Sequence, residues 1–192
     1  MSVLMSKGFL ALALAAASSL AFAGCGSSEK AASSPAPAAE KAAAFNGVDV
    51  RFTQGMLPHH MQAVRNAKIE IAMGEASAVK AIAEKILAAQ EMEIATMQGF
   101  LKTFGAQEKA APADQQAVWD KNTADLRTAA SPAARDVVFL TNMVPHHSAA
   151  IPMAQLDIKM GKFPAAQALA TQIKTSQRME IVEMNKLIRA RT

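Results

Sequence analysis

The chain has 192 residues, 51% of them hydrophobic, with a formal charge of +4, one cysteine, four histidines and no tyrosine. Its basic residues are dispersed rather than gathered into a run, which argues against nucleic acid as a partner, and a single cysteine excludes a disulfide within the chain. Good helix formers such as Ala, Leu, Met, Gln and Lys dominate, so the composition predicts an all-α protein.

The first 24 residues have the pattern of an export signal. Lys7 supplies a positive charge, an apolar stretch runs from residue 9 to residue 22, and Phe22-Ala23-Gly24-Cys25 follows. This tetrapeptide resembles a bacterial lipobox, with Phe where Leu is commoner, and would make Cys25 a lipidated N-terminus. Ordinary signal-peptidase cleavage after Ala23 is the alternative. Either cleavage predicts a protein of the cell envelope, and the first adds a lipid anchor in the membrane.

Residues 25–45 are rich in Ser, Ala, Pro, Lys and Glu. Such low-complexity composition is typical of a disordered tether, because it offers too little apolar surface for a core. We therefore expect the folded domain to comprise residues 46–192.

The domain repeats itself with a shift of 87 residues, the difference between Asp49 and Asp136. The segment Met56-Leu57-Pro58-His59-His60 matches Met143-Val144-Pro145-His146-His147, and no gap is needed along the repeat. The pattern indicates a duplicated unit, with repeat one at about 49–104, a connector at about 105–131 and repeat two at about 132–191.

Each repeat reads as two helices, separated at Gly74 in the first and at Gly161 in the second. Two such hairpins predict a four-helix bundle, with a short connecting helix around Trp119. Pro58 and Pro145 lie inside the helical pattern, so each first helix either starts afresh or bends there.

The repeated motif contains every histidine of the chain. Met56, His59 and His60 are spaced i, i+3 and i+4, which places them on one side of a helix. Folding the hairpin about Gly74 sets His60 level with Glu93, and Met56 level with Met97. By the repeat, His147 falls level with Glu180, and Met143 level with Met184.

Thioether and imidazole ligands without a thiolate, outside the cytoplasm, favour copper and in particular Cu(I). Zinc would more often use Cys or a His and carboxylate set, and the paired Glu-x-x-His motifs of di-iron bundles are missing from the sequence. Glu93 and Glu180 have three open roles: ligand, partner that holds a histidine, or solvated face. We read Met73, Met92, Met160 and Met179 as core packing, and Gln90 and Gln177 as polar groups at a helix surface.

The segments MVPHHSAAIPMA, residues 143–154, and MLPHHMQAVRNA, residues 56–67, resemble the signature of the ferritin-like domain of unknown function 305. The family's Gln-x-x-Glu-x-x-x-Met stretch matches residues 90–97 and 177–184. The resemblance implies a duplicated helical exported protein, linked to copper binding or copper resistance through Met and His. The family's second Met is Met153 in repeat two but Asn66 in repeat one, which implies a stronger site in repeat two.

The sequence therefore predicts an exported protein that sequesters, tolerates or transfers copper without catalytic turnover. The predicted metal ligands are His59, His60, His146, His147, Met56, Met143, Met97, Met184, Met153, Glu93 and Glu180. A ferritin-like metal-dependent oxidase and a metal-free helical interaction lipoprotein are the alternatives. Whether the two histidine pairs form one site or two stays open, as do a homo-oligomer and a copper-delivery partner.

Overall fold

The computed structural model describes residues 44–191. The predicted signal segment, the lipidation site Cys25 and nearly all of the tether lie outside these residues. The described part is all-α and contains five helices: α1 Gly47–Met73, α2 Ser77–Phe104, α3 Ala113–Arg127, α4 Pro132–Met160 and α5 Pro164–Arg189. The predicted fold class is confirmed, since α1–α2 and α4–α5 are two helical hairpins that pack into a four-helix bundle, and α3 is the short connecting helix.

The starts of α1 and α4 follow from local capping. Asn46 caps α1 by accepting from the backbone N–H groups of Val48 and Asp49, and the Asp49 side chain accepts from the Asn46 N–H in return. Ser131 caps α4, and Pro132 occupies the first helical turn, where its missing N–H costs nothing. Both helices continue unbroken through their internal prolines, so the prediction of a fresh helix start at those positions is wrong.

Contacts between the two hairpins organise the core. Helix α1 packs against α4 as well as α2, and α5 packs against α2 as well as α4. The buried apolar residues form two clusters, one centred on Ile82, Ile86 and Phe139 and the other on Phe52, Leu101 and Ile173. Each cluster contains side chains from both repeats, so the two repeats fold as one unit.

At each end of the bundle, an aspartate of one repeat accepts hydrogen bonds from the turn of the other repeat; Asp49 and Asp136 are called the exchanged aspartates below. Asp49, at the start of α1, accepts from the backbone N–H groups of Lys162 and Phe163, between α4 and α5. The equivalent Asp136 of α4 accepts from the backbone between α1 and α2. The first helix of each repeat thereby caps the turn of the other repeat, which holds the hairpins antiparallel.

A second, fully buried carboxyl group lies beside each exchanged aspartate. Burial, reinforced by the neighbouring Asp136, raises the pKa of Glu70 to about 8. Burial and the charge of Asp49 likewise raise the pKa of Asp157 to about 7. The Glu70 pair therefore keeps a proton up to neutral pH, and the Asp157 pair keeps one in acid. A protonated carboxyl group at either place can donate to the aspartate that caps the turn.

The two turn glycines are required for space rather than for a left-handed backbone. Gly74 and Gly161 have φ of −70° and −64°, which any residue adopts. A Cβ at Gly161 would lie 2.6 Å from Asp49 Oδ1 and 2.7 Å from Asp157 Oδ1, and a Cβ at Gly74 would collide with Glu70. Glycine is thus the residue that lets the buried carboxyl pairs approach the turns.

Candidate metal centre

The four histidines lie together in the middle of the bundle, where α1 packs against α4. The rings of His59 and His146 stack with their centroids 3.7 Å apart and their planes inclined by 31°. His59 Nε2 lies 3.1 Å from the backbone oxygen of His146. Because these residues are equivalent in the two repeats, the stack lies on the approximate two-fold axis that relates them.

The other two histidines are each held by a glutamate of the partner helix in the same hairpin. His60 Nε2 lies 2.8 Å from Glu93 Oε2, and His147 Nε2 lies 2.8 Å from Glu180 Oε2. The level pairing expected from the antiparallel hairpins is thus present. Both glutamates are only 3% exposed, so the solvated-face reading is wrong. Of the two remaining roles, the contacts are those of a partner that orients its histidine through Nε2 and leaves Nδ1 for a ligand.

Every histidine has a ring nitrogen without a hydrogen-bond partner in the described part of the chain. Burial lowers the pKa of His59 and of His60 to about 3, and that of His146 well below its usual range, with mutual repulsion among the rings adding to the effect. Those three rings are therefore neutral at physiological pH and present lone pairs. The unpartnered atoms are Nδ1 of His59, His60, His146 and His147, and Nε2 of His146.

Four buried thioethers lie close in sequence to the histidines and their glutamate partners. Met56 and Met97 are fully buried and belong to one apolar cluster, and Met143 and Met184 are equally buried in the other. Met56 precedes His59 by one helical turn, and Met97 follows Glu93 by one turn. The repeat gives the same spacing around Met143 and Met184, so sulfur lies near the histidines in both halves of the bundle.

The fifth predicted sulfur ligand, Met153, has a different neighbourhood from the one the sequence suggests. Met153 belongs to repeat two, yet it packs against the apolar cluster of Met56 and Met97 and reaches the backbone of Gly55. Its counterpart Asn66 instead accepts a 2.8 Å hydrogen bond from Thr123 Oγ1 of α3. The two halves therefore differ because one position supplies sulfur while the other fastens the connecting helix.

Helix α3 covers the stacked histidines through Trp119, which sequence reasoning assigned only to a connector. The indole lies with its edge toward His59, at a centroid distance of 5.7 Å, and 6.1 Å from His146. A cavity of about 180 Å³ beside it is lined by both rings and by Asn122 and Asn142. This cavity gives the centre a route to solvent along the edge of α3.

Burial contradicts two assignments made from the sequence. Gln90 and Gln177 are 2% and 1% exposed, so their surface reading is wrong. Their i, i+3 spacing from Glu93 and Glu180 was the signal that could have placed them inside. The reading of four other methionines as core is also wrong, since all are 44% exposed or more: Met73, Met92, Met160 and Met179.

Within residues 44–191, no three His, Asp or Glu side chains are grouped as a preformed metal site. The donors at the centre are instead imidazole nitrogens, and buried thioethers lie one helical turn from His59 and His146 along α1 and α4. This set differs from a zinc or di-iron site, in which carboxylates or thiolates supply much of the coordination. What the arrangement can do chemically is bind a soft cation with nitrogen and sulfur.

Comparison with known proteins gives a family and a set of solved folds. The model of a family described as "Domain of unknown function (DUF305)" matches residues 49–188. A DUF305 fragment from Deinococcus radiodurans has a TM-score of 0.69 at 26% identity, covering 76% of this chain and 97% of that one. CopM in its Cu(I)-bound form has a TM-score of 0.61 at 27% identity, covering 74% and 96%, and structures of CopM with silver and with Cu(II) also match.

A curated relative matches a shorter stretch. The uncharacterized protein L153 of Acanthamoeba polyphaga mimivirus is 43% identical over 53 residues, which is 28% of this chain. The match spans 35% of that protein's own length.

Proposed function

The chain belongs to the DUF305 family, and on that premise we propose that it binds copper at the histidine band in the middle of its bundle. The ligands are drawn from His59, His60, His146 and His147 and from the sulfurs of Met56, Met97, Met143, Met184 and Met153, and a single copper ion would take only a subset of them. Glu93 and Glu180 serve the centre by orienting His60 and His147.

The observation that carries the proposal is the concentration of unpartnered ring nitrogens at one buried place. A buried polar atom without a partner costs free energy, so native structures rarely contain several together unless a ligand satisfies them. Five such atoms come from four histidines, and these are all the histidines of the chain. A bound metal ion would satisfy them.

Copper fits this donor set better than zinc or iron. Four methionines of the repeats are buried in the same bundle as the imidazoles, and residues 44–191 contain no cysteine. Soft sulfur selects Cu(I), whereas zinc and iron sites in proteins rely more on thiolate or carboxylate. The copper-bound forms of CopM, which has a similar fold, lend the same support.

We further propose that the two repeats build one shared centre. His59 and His146 stack directly, and burial, with Glu180 of the other repeat close by, raises the pKa of Glu93 to about 7. Separate sites at the two ends of the bundle would leave the stacked pair unused. A single high-affinity copper equivalent per chain is the expected stoichiometry.

The cellular role follows as part of the proposal: sequestration of copper in the cell envelope, or its transfer to another protein, without turnover. The export pattern of residues 1–24 supports this location, and Cys25 would supply a membrane anchor if it is lipidated. Within residues 44–191, no helix is both long and apolar enough to cross a membrane. Mass spectrometry of the processed N-terminus, with and without Cys25→Ser, tests the anchor.

The decisive experiment is a competition titration of the purified protein with Cu(I) against a chelator of known affinity. We expect one tight equivalent in the native protein and its loss when all four histidines are replaced by alanine. Circular dichroism of the metal-free variant checks that the bundle still forms. Unchanged affinity in a folded quadruple variant would show that the histidines are not the ligands.

The methionines offer a matched control. Met56→Leu with Met97→Leu removes two buried sulfurs while nearly conserving volume. Met92→Leu with Met179→Leu removes two sulfurs that are 66% and 59% exposed. The first pair should weaken Cu(I) binding and the second should not; equal effects would argue against sulfur at the centre.

The same preparation separates the two rival functions. An oxidase would show copper- or iron-dependent oxygen consumption, and a metal-free interaction module would show no rise in unfolding temperature on adding copper. Size-exclusion chromatography with and without copper tests for a homo-oligomer.

A further inference from the structure

Two glutamines inside the bundle have no explanation in the packing. Gln90 on α2 and Gln177 on α5 are equivalent in the repeat and almost fully buried. The side-chain oxygen and the side-chain nitrogen of each glutamine lack a hydrogen-bond partner among the described residues. Leucine at either position would fill the space without burying a polar group, so the amides point to a ligand.

The register of α2 against α5 places the two amides at the same level. Lys85 Nζ lies 3.0 Å from Glu183 Oε2, and Gln172 Nε2 lies 3.4 Å from Glu93 Oε1, so the helices run antiparallel. Interpolating between these contacts sets Gln90 opposite residues 176–177. The glutamines therefore face the approximate two-fold axis from the α2–α5 side, as His59 and His146 do from the α1–α4 side.

The glutamines also share a helix face with the residues that hold the histidines. Gln90 precedes Glu93 by three residues, and Gln177 precedes Glu180 by three, which puts each pair one turn apart on the same side. The polar band thus has different kinds of donor. Imidazole comes from α1 and α4, thioether comes from all four helices of the bundle, and amide oxygen lies on α2 and α5 one turn from the glutamates.

We propose that Gln90 and Gln177 are the residues that let this centre hold Cu(II) in addition to Cu(I). The inference depends on the copper centre proposed above and adds a determinant of oxidation state to it. Cu(II) favours nitrogen with oxygen, whereas thioether favours Cu(I). Amide oxygen beside imidazole is an N,O set, and an amide stays uncharged in the interior, where a further carboxylate would add repulsion to Glu93 and Glu180.

The test is a pair of titrations, with Cu(II) and with Cu(I), on the native protein and on two double variants. Gln90→Met with Gln177→Met keeps the side-chain length and removes the oxygen donors. We expect it to lower Cu(II) affinity about tenfold or more without lowering Cu(I) affinity, which the added thioethers favour. Gln90→Glu with Gln177→Glu keeps an oxygen donor and should retain Cu(II). Electron paramagnetic resonance of bound Cu(II) should change in the methionine variant.

The metal-free protein supplies a readout that does not depend on copper. Because the amides have no partner in the fold, the methionine variant should unfold at the same temperature as the native protein or higher. A clear fall in that temperature, or equal losses of Cu(I) and Cu(II) affinity, would make the glutamines structural and overturn the inference. Single variants at Gln90 and at Gln177 serve if the double variant does not fold. If the quadruple histidine variant still binds Cu(I), the proposed copper centre itself fails.

Discussion

Glu70→Gln should make the protein more resistant to alkali, although it alters a fully buried residue. Glu70 lies beside Asp136, which caps the turn between α1 and α2. The groups facing it are Asp136, Arg135 and Lys80, and burial with the nearby carboxylate outweighs the two cations. The pKa of Glu70 is about 8 in the folded protein, compared with 4.5 for an ordinary glutamate. The folded state therefore binds this proton more tightly than the unfolded state does. Its contribution to stability is complete below about pH 4.5 and disappears as the pH rises through about 8.

The magnitude follows from the two pKa values. Between about pH 6 and about pH 9 the native protein loses roughly two pK units of proton-linked stability at this site, or about 2–3 kcal/mol at 1.36 kcal/mol per unit. A glutamine amide donates to Asp136 at every pH, as the protonated acid does. The variant has no proton to lose, so its excess in free energy of unfolding over the native protein should grow by about 2–3 kcal/mol between pH 6 and pH 9.

Urea unfolding of the metal-free protein at both pH values, followed by Trp119 fluorescence, measures the difference. Asp157→Asn should behave alike with a smaller gain of about 1 kcal/mol, because the pKa of Asp157 is about 7. Glu84→Gln, at an exposed position of α2, is the control and should show no gain. If the native protein and Glu70→Gln lose the same free energy of unfolding between the two pH values, the idea that a proton bound by Glu70 stabilises the turn is refuted.

Three further predictions concern the turn glycines, Trp119 over the stacked histidines, and the glutamates that contact His60 and His147. Gly161→Ala should destabilise the protein by about 1–3 kcal/mol, since the added Cβ would meet carboxyl oxygens at 2.6–2.7 Å. Gly99→Ala, whose Cβ would have nothing within 4 Å, should stabilise α2 by about 0.5–1 kcal/mol. Thermal unfolding measures both, and equal effects would contradict the steric explanation. Copper should quench most of the Trp119 emission, while Trp119→Phe should retain copper in a chelator titration; unquenched emission at full loading would place the metal elsewhere. Glu180→Gln should lower Cu(I) affinity by about tenfold without a matching fall in unfolding temperature, and an unchanged affinity would reduce the glutamate to a packing role.

Spacing along the chain was enough to predict the contacts within each hairpin. Antiparallel helices joined by a short turn must pair residues whose numbers have a constant sum, because every residue advances each helix by the same rise. That rule placed His60 beside Glu93 and His147 beside Glu180, and both contacts are present at 2.8 Å. The glycine positions also predicted the ends of the first helices correctly, although the structural reason for glycine there is space beside the buried carboxyl groups.

Contacts between the hairpins were beyond the sequence because they depend on how each helix is rotated toward the other pair. Gln90 and Met92 both lie on α2, and the packing of α2 against α1 and α5 decides which side is interior, although the spacing of Gln90 from Glu93 already indicated its side. The repeat could say that His59 and His146 are equivalent, but not that an axis would bring their rings to 3.7 Å.

By itself the sequence determined an all-α bundle of two like hairpins, with every histidine and four buried methionines at matching depths, because helical period and chain length fix those features locally. The tertiary structure decided that the histidines form one band, that Trp119 covers it, and that buried acids lock the turns. Those features arise where segments distant in sequence share one desolvated interior, and there the neighbours, rather than the residue type, determine charge and exposure.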